Sequence, residues 1–124
     1  MTTRPEFKEY LLDQFAAFGP VQIRGMFGGS GIYADGVMFA LVADDVLYLK
    51  VDDGNRDDFE AADMKPFTYR HKNNSGPVAM PYWEVPVAVL EDPDDLAQWS
   101  TKALRAARAA KAAKPEKRKR AKPG

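Results

Sequence analysis

The chain has 124 residues, 45% of them hydrophobic, with no cysteine and a single histidine, His71. That is the length of one domain, and roughly 110 residues bury a core without disulfide or metal staples, while the missing thiols exclude a disulfide framework, a thiolate nucleophile and a thiolate metal site. The net charge of zero conceals an asymmetry: residues 1–100 carry 8 Lys and Arg against 17 Asp and Glu, a net of −9, and residues 101–124 carry 10 against 1, a net of +9.

Thr3 and Glu6 have capping-box spacing and Pro5 sits in the first turn of a helix whose Phe7, Tyr10, Leu11, Phe15 and Phe18 recur at helical intervals until Gly19-Pro20. Val21-Gln22-Ile23 begins a strand. Gly25, Gly28, Gly29 and Gly31 then predict a constrained bend. Asp35-Gly36, between Gly31–Ala34 and Val37–Val42, reads as a type I′ hairpin turn. The apolar run from Val37 to Val42 suits a strand buried on both faces. Val46 to Val51 alternates, with Val46, Tyr48 and Lys50 on one face and Leu47, Leu49 and Val51 on the other.

Asp52, Asp53 and Asn55 are candidate caps for a short helix through Phe59, Ala62 and Met64, ended by Lys65-Pro66. Phe67–Arg70 and Pro77–Val85 read as two strands around the polar turn 71–76, with Pro81 confining its strand to an edge or a bulge. Asp92-Pro93-Asp94-Asp95 starts a last helix that packs through Leu96, Trp99, Ala103 and Leu104. The order, helix, three or four strands, helix, two strands, helix, is an α+β pattern with helices covering an antiparallel sheet. Ala, Lys and Arg extend the last helix past Leu104 until Pro115 stops it, and the remainder is expected to be disordered. The expected division is a domain over 1–110 and a basic low-complexity tail over 111–124.

The run Arg24-Gly25-Met26-Phe27-Gly28-Gly29-Ser30-Gly31-Ile32-Tyr33, followed by Asp35-Gly36 and Phe39-Ala40-Leu41-Val42, resembles the opening of the N-terminal domain of the TfoX (Sxy) family of bacterial competence regulators. Tyr48-Leu49-Lys50-Val51, Asn55 to Phe59, Pro66-Phe67-Thr68-Tyr69 and Met80 to Pro86 match in order, so the resemblance covers roughly residues 3–110. It implies a fold similar to the secretion-chaperone type. It gives Arg24, Met26, Phe27, Gly28, Gly29, Gly31, Tyr33, Asp35 and Gly36 as a structural family motif. It also implies a regulatory role, since full-length family members act as co-activators with the cyclic-AMP receptor protein at competence promoters and carry a second, helical C-terminal domain. In this chain the alanine- and lysine-rich tail stands in that domain's place, and the expectation reduces to a regulatory or protein-interaction role.

The sequence contains no convincing catalytic constellation. Gly29-Ser30-Gly31-Ile32-Tyr33-Ala34 satisfies the form of a dinucleotide fingerprint, but a turn and a strand follow where a helix N-terminus is needed. Ser30 breaks the spacing of a nucleophile elbow, and His71 has no second histidine to make a metal pair. The acidic pairs Asp44-Asp45, Asp52-Asp53, Asp57-Asp58 and Asp94-Asp95 lack the calcium-loop pattern. Neither a cofactor nor a metal is expected. Of Tyr82 and Trp83, which face opposite sides of their strand, one is a candidate partner surface on an edge, with core packing as the competing role.

The basic tail has a direct reading. Lys111, Lys114, Lys117, Arg118, Lys119, Arg120 and Lys122 are candidate phosphate contacts for sequence-independent nucleic-acid binding, against the alternatives of a solubilising extension or an intramolecular partner for the acidic body. The leading expectation is a non-enzymatic regulatory or protein-interaction module, with a protein partner such as the transcription machinery. DNA association through the tail is the alternative. A small-ligand or enzyme pocket lined by Met26, Phe27, Tyr48 and Trp83 is a weaker one. An edge strand makes a homodimer testable. With no apolar signal core in Met1–Glu6 and no run long enough to span a bilayer, the expected location is the cytoplasm, without membrane contact.

Overall fold

Pro5, which has no amide proton to lose, opens helix α1 (Pro5–Gln14). The computed structural model describes residues 4–26, 29–70 and 77–121, so Thr3 of the expected capping box lies outside the described residues. The residue that caps α1 is Arg4, without a side-chain cap. Asp45 substitutes for one, because its Oδ1 accepts the Arg4 amide at 3.0 Å and its Oδ2 pairs with the Arg4 guanidinium at 2.7 Å. Phe15–Ala17 tightens to a 3₁₀ turn, and Gly19 at φ +134° ends the helical course where expected.

Four strands follow, β1 (Gln22–Met26), β2 (Gly29–Ala34), β3 (Val37–Ala43) and β4 (Val46–Lys50). Helix α2 (Arg56–Ala61) leads to β5 (Pro66–Arg70) and β6 (Pro77–Glu84), then to the short α3 (Val87–Leu90) and the long α4 (Pro93–Ala121). The strands form one antiparallel sheet in the order β1-β2-β3-β4-β6-β5. The α+β expectation is met.

Both hairpin turns are built on positive φ at two successive residues, as a type I′ turn requires. Asp35 and Gly36 lie at φ 53° and 76°, and Asp44 and Asp45 at 58° and 61°. Aspartate tolerates this region because its short side chain bonds locally.

The chain reverses within the glycine-rich segment, as expected, since β1 and β2 pair antiparallel with Met26 opposite Gly29. Gly25 lies in β1, and Gly29 and Gly31 lie in β2, all in strand backbone, while Phe27 and Gly28 are outside the described residues. Between β2 and β3 the register slips: Ile32 pairs with Ala40 and Tyr33 with Met38, which makes Phe39 the extra residue of a bulge. Phe39 therefore joins Ala40 and Val42 under the helices, while Leu41 and Ala43, also buried, lie on the other face.

The two faces have different fates. Ile23, Ile32, Ala40, Leu49 and Trp83 are paired in a row across the sheet. They pack in the core with Leu11, Phe15, Phe59, Leu96, Ala103 and Ala107 from the helices. Among the described residues no helix packs against the reverse face.

Three local details depart from expectation for identifiable reasons. Asn55 does not cap α2 with its side chain. Buried to 2% exposure, it accepts the Asp52 amide at 2.8 Å and donates to the Lys50 carbonyl at 3.0 Å, fixing the exit from β4. Helix α3 is too short to show helical periodicity and was not anticipated. Helix α4, capped as expected by Asp92 Oδ1 accepting the Asp94 and Asp95 amides, continues through Pro115 to Ala121 rather than stopping there. A proline removes one intrahelical bond, and the Ala, Lys and Arg on either side all favour helix.

Ser100 on α4 is fully buried, and its hydroxyl has no hydrogen-bond partner among the described residues. An unsatisfied buried hydroxyl costs about 1–3 kcal/mol, and alanine is the better helix former. Ser100→Ala should therefore raise unfolding stability by about 1 kcal/mol in a urea titration. A loss of stability would instead reveal a partner for the hydroxyl.

Candidate functional site: the open sheet face and the groove beneath α4

The alternation that sends one set of residues under the helices leaves Arg24, Met26, Tyr33, Met38, Tyr48, Lys50, Phe67 and Tyr82 on the uncovered face. Four of the nine family-motif residues, Arg24, Met26, Gly31 and Tyr33, meet here, while Asp35 and Gly36 form the β2–β3 turn. Arg24 holds its guanidinium 4.8 Å from the centre of the Tyr33 ring and donates to Gln22 Oε1 at 3.0 Å. Gly31 lies beneath this patch, so close that an added Cβ would meet Met38 Sδ, Met26 Sδ and Tyr33 at 3.0–3.2 Å. The long side chains lie over the small residue, and Met26 remains 43% exposed.

Further along the face, Lys50 Nζ stands 5.1 Å from the centre of the Tyr82 ring, and Tyr48 meets Phe67 edge-on at 4.9 Å. Burial pushes the Tyr82 phenol up from its ordinary pKa, with Tyr33 adding to the rise. Tyr48 is pushed up by burial too, and then by Glu84 and Asp44. Both hydroxyls thus stay protonated, as neutral donors, across the neutral range.

At the end of the sheet where α4 leaves the core is a groove of about 260 Å³. Met38, Lys50 and Tyr82 form its floor, and Ala107, Ala110 and Lys111 form its wall. Arg108 pairs with Asp35 in the β2–β3 turn at 2.8 Å and Lys102 with Asp58 on α2 at 2.9 Å, so α4 is tied to the acidic body on both sides. Both of these cations lie within the domain expected over 1–110, ahead of the basic tail. Lys111 is the first of the candidate phosphate contacts. Lys114, Lys117, Arg118, Lys119 and Arg120 follow along the α4 backbone, and Lys122 is outside the described residues.

Tyr82 and Trp83 do not lie on an edge. Their strand β6 is flanked by β4 and β5, and Pro81 is accommodated where the β5–β6 register slips, the bulge option of the sequence reading. Trp83 packs against Phe59 at 6.2 Å within the core, so only Tyr82 faces outward. The pocket expected from Met26, Phe27, Tyr48 and Trp83 does not assemble, because Trp83 points to the opposite face from Met26 and Tyr48, and Phe27 is outside the described residues. Ser30, 1% exposed, lies on the helix-covered face opposite Val42. His71 and the turn 71–76 lie outside the described residues.

Sequence reasoning missed the groove. Its one prior signal was Lys50, a charge sharing a strand face with Tyr48; the approach of Ala107, Ala110 and Lys111 depends on the path of α4. Among the described residues no group of three His, Asp or Glu is placed to hold a metal ion, and no helix is long and apolar enough to cross a membrane.

An open six-stranded antiparallel sheet with its helices on one face and a glycine-rich first hairpin defines the class of domain. The family model for the TfoX N-terminal domain matches residues 13–107, and the chain belongs to that family. No curated protein matches it significantly.

Proposed function

We propose that the chain is a non-enzymatic regulatory module that docks a protein partner by strand addition to β1. The observation that carries this reading is the state of that edge. Among the described residues strand β1 pairs only with β2, four of its five residues are exposed, and it contains neither proline nor a bulge. An edge left in this condition offers unpaired backbone groups to another strand. The opposite edge, β5, opens with Pro66 and is irregular in register, the usual ways of blunting one. Family membership supplies the regulatory sense. The partners it suggests are the transcription machinery and the cyclic-AMP receptor protein, in the cytoplasm.

Gly25 allows a clean test, because a Cβ added there meets nothing within 4 Å. Gly25→Lys puts a charge on the edge, a device that opposes strand pairing, without crowding the fold. The full chain is immobilised, and purified RNA polymerase and cyclic-AMP receptor protein are passed over it by interferometry. One of them should bind, and the variant should weaken it at least about tenfold, about 1.4 kcal/mol, with an unchanged melting temperature. Absence of binding by both proteins, or equal binding by the variant, refutes the reading.

A further inference from the structure

We propose that the open sheet face and the groove beneath α4 form a binding track for single-stranded nucleic acid, with Tyr82 and Tyr33 as stacking platforms and Lys50, Lys111 and Arg24 as phosphate partners. This goes beyond strand addition at β1 and does not depend on it.

Charge separation within the body is the first support. The domain is strongly acidic, yet the register places Arg24, Lys50 and Glu84 as the charged residues of the described open face. Glu84 is paired with Tyr48, away from the groove, and its charge bears on Tyr48 rather than on Tyr82. The other acids of the described body sit in the turns, on α1 and α2 and at the start of α4. None of the residues lining the groove is acidic, and Asp35, next in sequence to its Gly36, is engaged by Arg108. A polyanion therefore meets a locally cationic face on a globally acidic domain.

The second support is the pairing of cations with rings. Arg24 over Tyr33 and Lys50 over Tyr82 place a positive group beside an aromatic at two points of one face. Strands without sequence preference are held this way, with bases stacked on aromatics and phosphates on neighbouring cations. Bases paired in a duplex cannot reach such rings, so this arrangement selects unpaired strands.

Continuity is the third. Lys111 lines the groove together with Lys50, and the backbone of α4 carries Lys114, Lys117, Arg118, Lys119 and Arg120 onward from that point. The basic segment thus begins where the ring-bearing face ends. On this reading the domain is no passenger of a sticky tail, because it selects the strandedness of what the tail attracts.

The test is fluorescence anisotropy with a labelled oligothymidylate of about 15 nucleotides, a length that one stacking module can cover, and with a duplex of equal length, across a salt series. The full chain should bind the single strand at least about tenfold tighter than the duplex. Tyr82→Ala should weaken single-strand binding about tenfold and leave duplex binding unchanged, while Tyr82→Phe, which keeps the ring, retains the affinity. Lys50→Gln should lower the log–log salt slope by about 0.7, and it decides the matter if Tyr82→Ala fails to fold by circular dichroism. Equal affinity for both forms, indifference to Tyr82→Ala and Lys50→Gln, or no binding of either oligonucleotide overturns the proposal. The first two results would assign any binding to the tail alone.

Discussion

Gly29→Ala is expected to destabilise the domain by about 3 kcal/mol or more, at the upper end of the range for overpacking. A Cβ built at Gly29 overlaps the Val42 carbonyl oxygen and stands 3.2 Å from its carbon. That oxygen belongs to the backbone of β3, the strand to which β2 is paired across its whole length. Relief would require parting β2 from β3 at this end of their ladder, which no rotamer change can supply. The neighbouring glycines provide an internal scale. At Gly31 the contacts are side-chain atoms, the flexible thioether ends of Met26 and Met38 and the edge of the Tyr33 ring, which can give by a few tenths of an ångström, and at Gly25 there is open space. Urea unfolding of the three alanine variants should rank Gly25→Ala within about 0.5 kcal/mol of the parent, Gly31→Ala between, and Gly29→Ala far below. With total stabilities of roughly 5–15 kcal/mol for such domains, Gly29→Ala removes a large share. Equal midpoints for Gly25→Ala and Gly29→Ala would show that the approach of β2 to β3 is not constrained at this carbonyl.

The contrast among these glycines marks what the sequence could and could not convey. Local chemistry was legible: the Asp35-Gly36 turn, the Asp92-Pro93 helix start and the alternation of Val46–Val51 follow from backbone preferences that act within a few residues. Gly29 was legible as a constraint, but its kind was not. Composition favours a bend at clustered glycines, and the chain does reverse between Met26 and Gly29, but it does not report that Gly29 also meets the backbone of β3. For the same reason Phe39 read as one of a continuous run. A bulge is a relation between two strands, and no pattern within β3 reports it.

The candidate site divides in the same way. The motif residues Arg24, Met26, Gly31 and Tyr33 were identified together, and the register brings them to one patch. Tyr82 was singled out with the correct rule, that neighbours on a strand face opposite sides. Its strand was then expected at an edge because Pro81 argues against a central position. The slip between β5 and β6 removes that objection locally, which sequence spacing cannot reveal. Lys111 was counted among the charges of a tail, and only the packing of α4 makes it the wall of a groove. Residues joined by long-range packing stayed unread because each of their neighbourhoods is unremarkable alone.

Phe39→Ala is the core substitution with the largest expected effect, a loss of about 3–5 kcal/mol. The side chain is fully buried, and its ring stands 5.7 Å from Phe15 in an edge-on arrangement and 5.1 Å from Phe18. These are the residues through which the end of α1 and its 3₁₀ turn grip the sheet. Truncation leaves a cavity between rigid layers, bounded on one side by the bulge and on the other by rings that cannot collapse into it, so little of the cost is recovered by relaxation. Phe39→Leu keeps most of the volume and should cost about 1–1.5 kcal/mol, which separates loss of volume from loss of the aromatic contact. The aromatic contact itself is measured by a double-mutant cycle with Phe15→Leu. A coupling of about 0.5–1.5 kcal/mol is expected for an edge-on pair. Strict additivity, together with a cost for Phe39→Ala no greater than that of Phe39→Leu, would mean that α1 is held by Leu11 and the Arg4–Asp45 pair and that the bulge does not set the position of the helix.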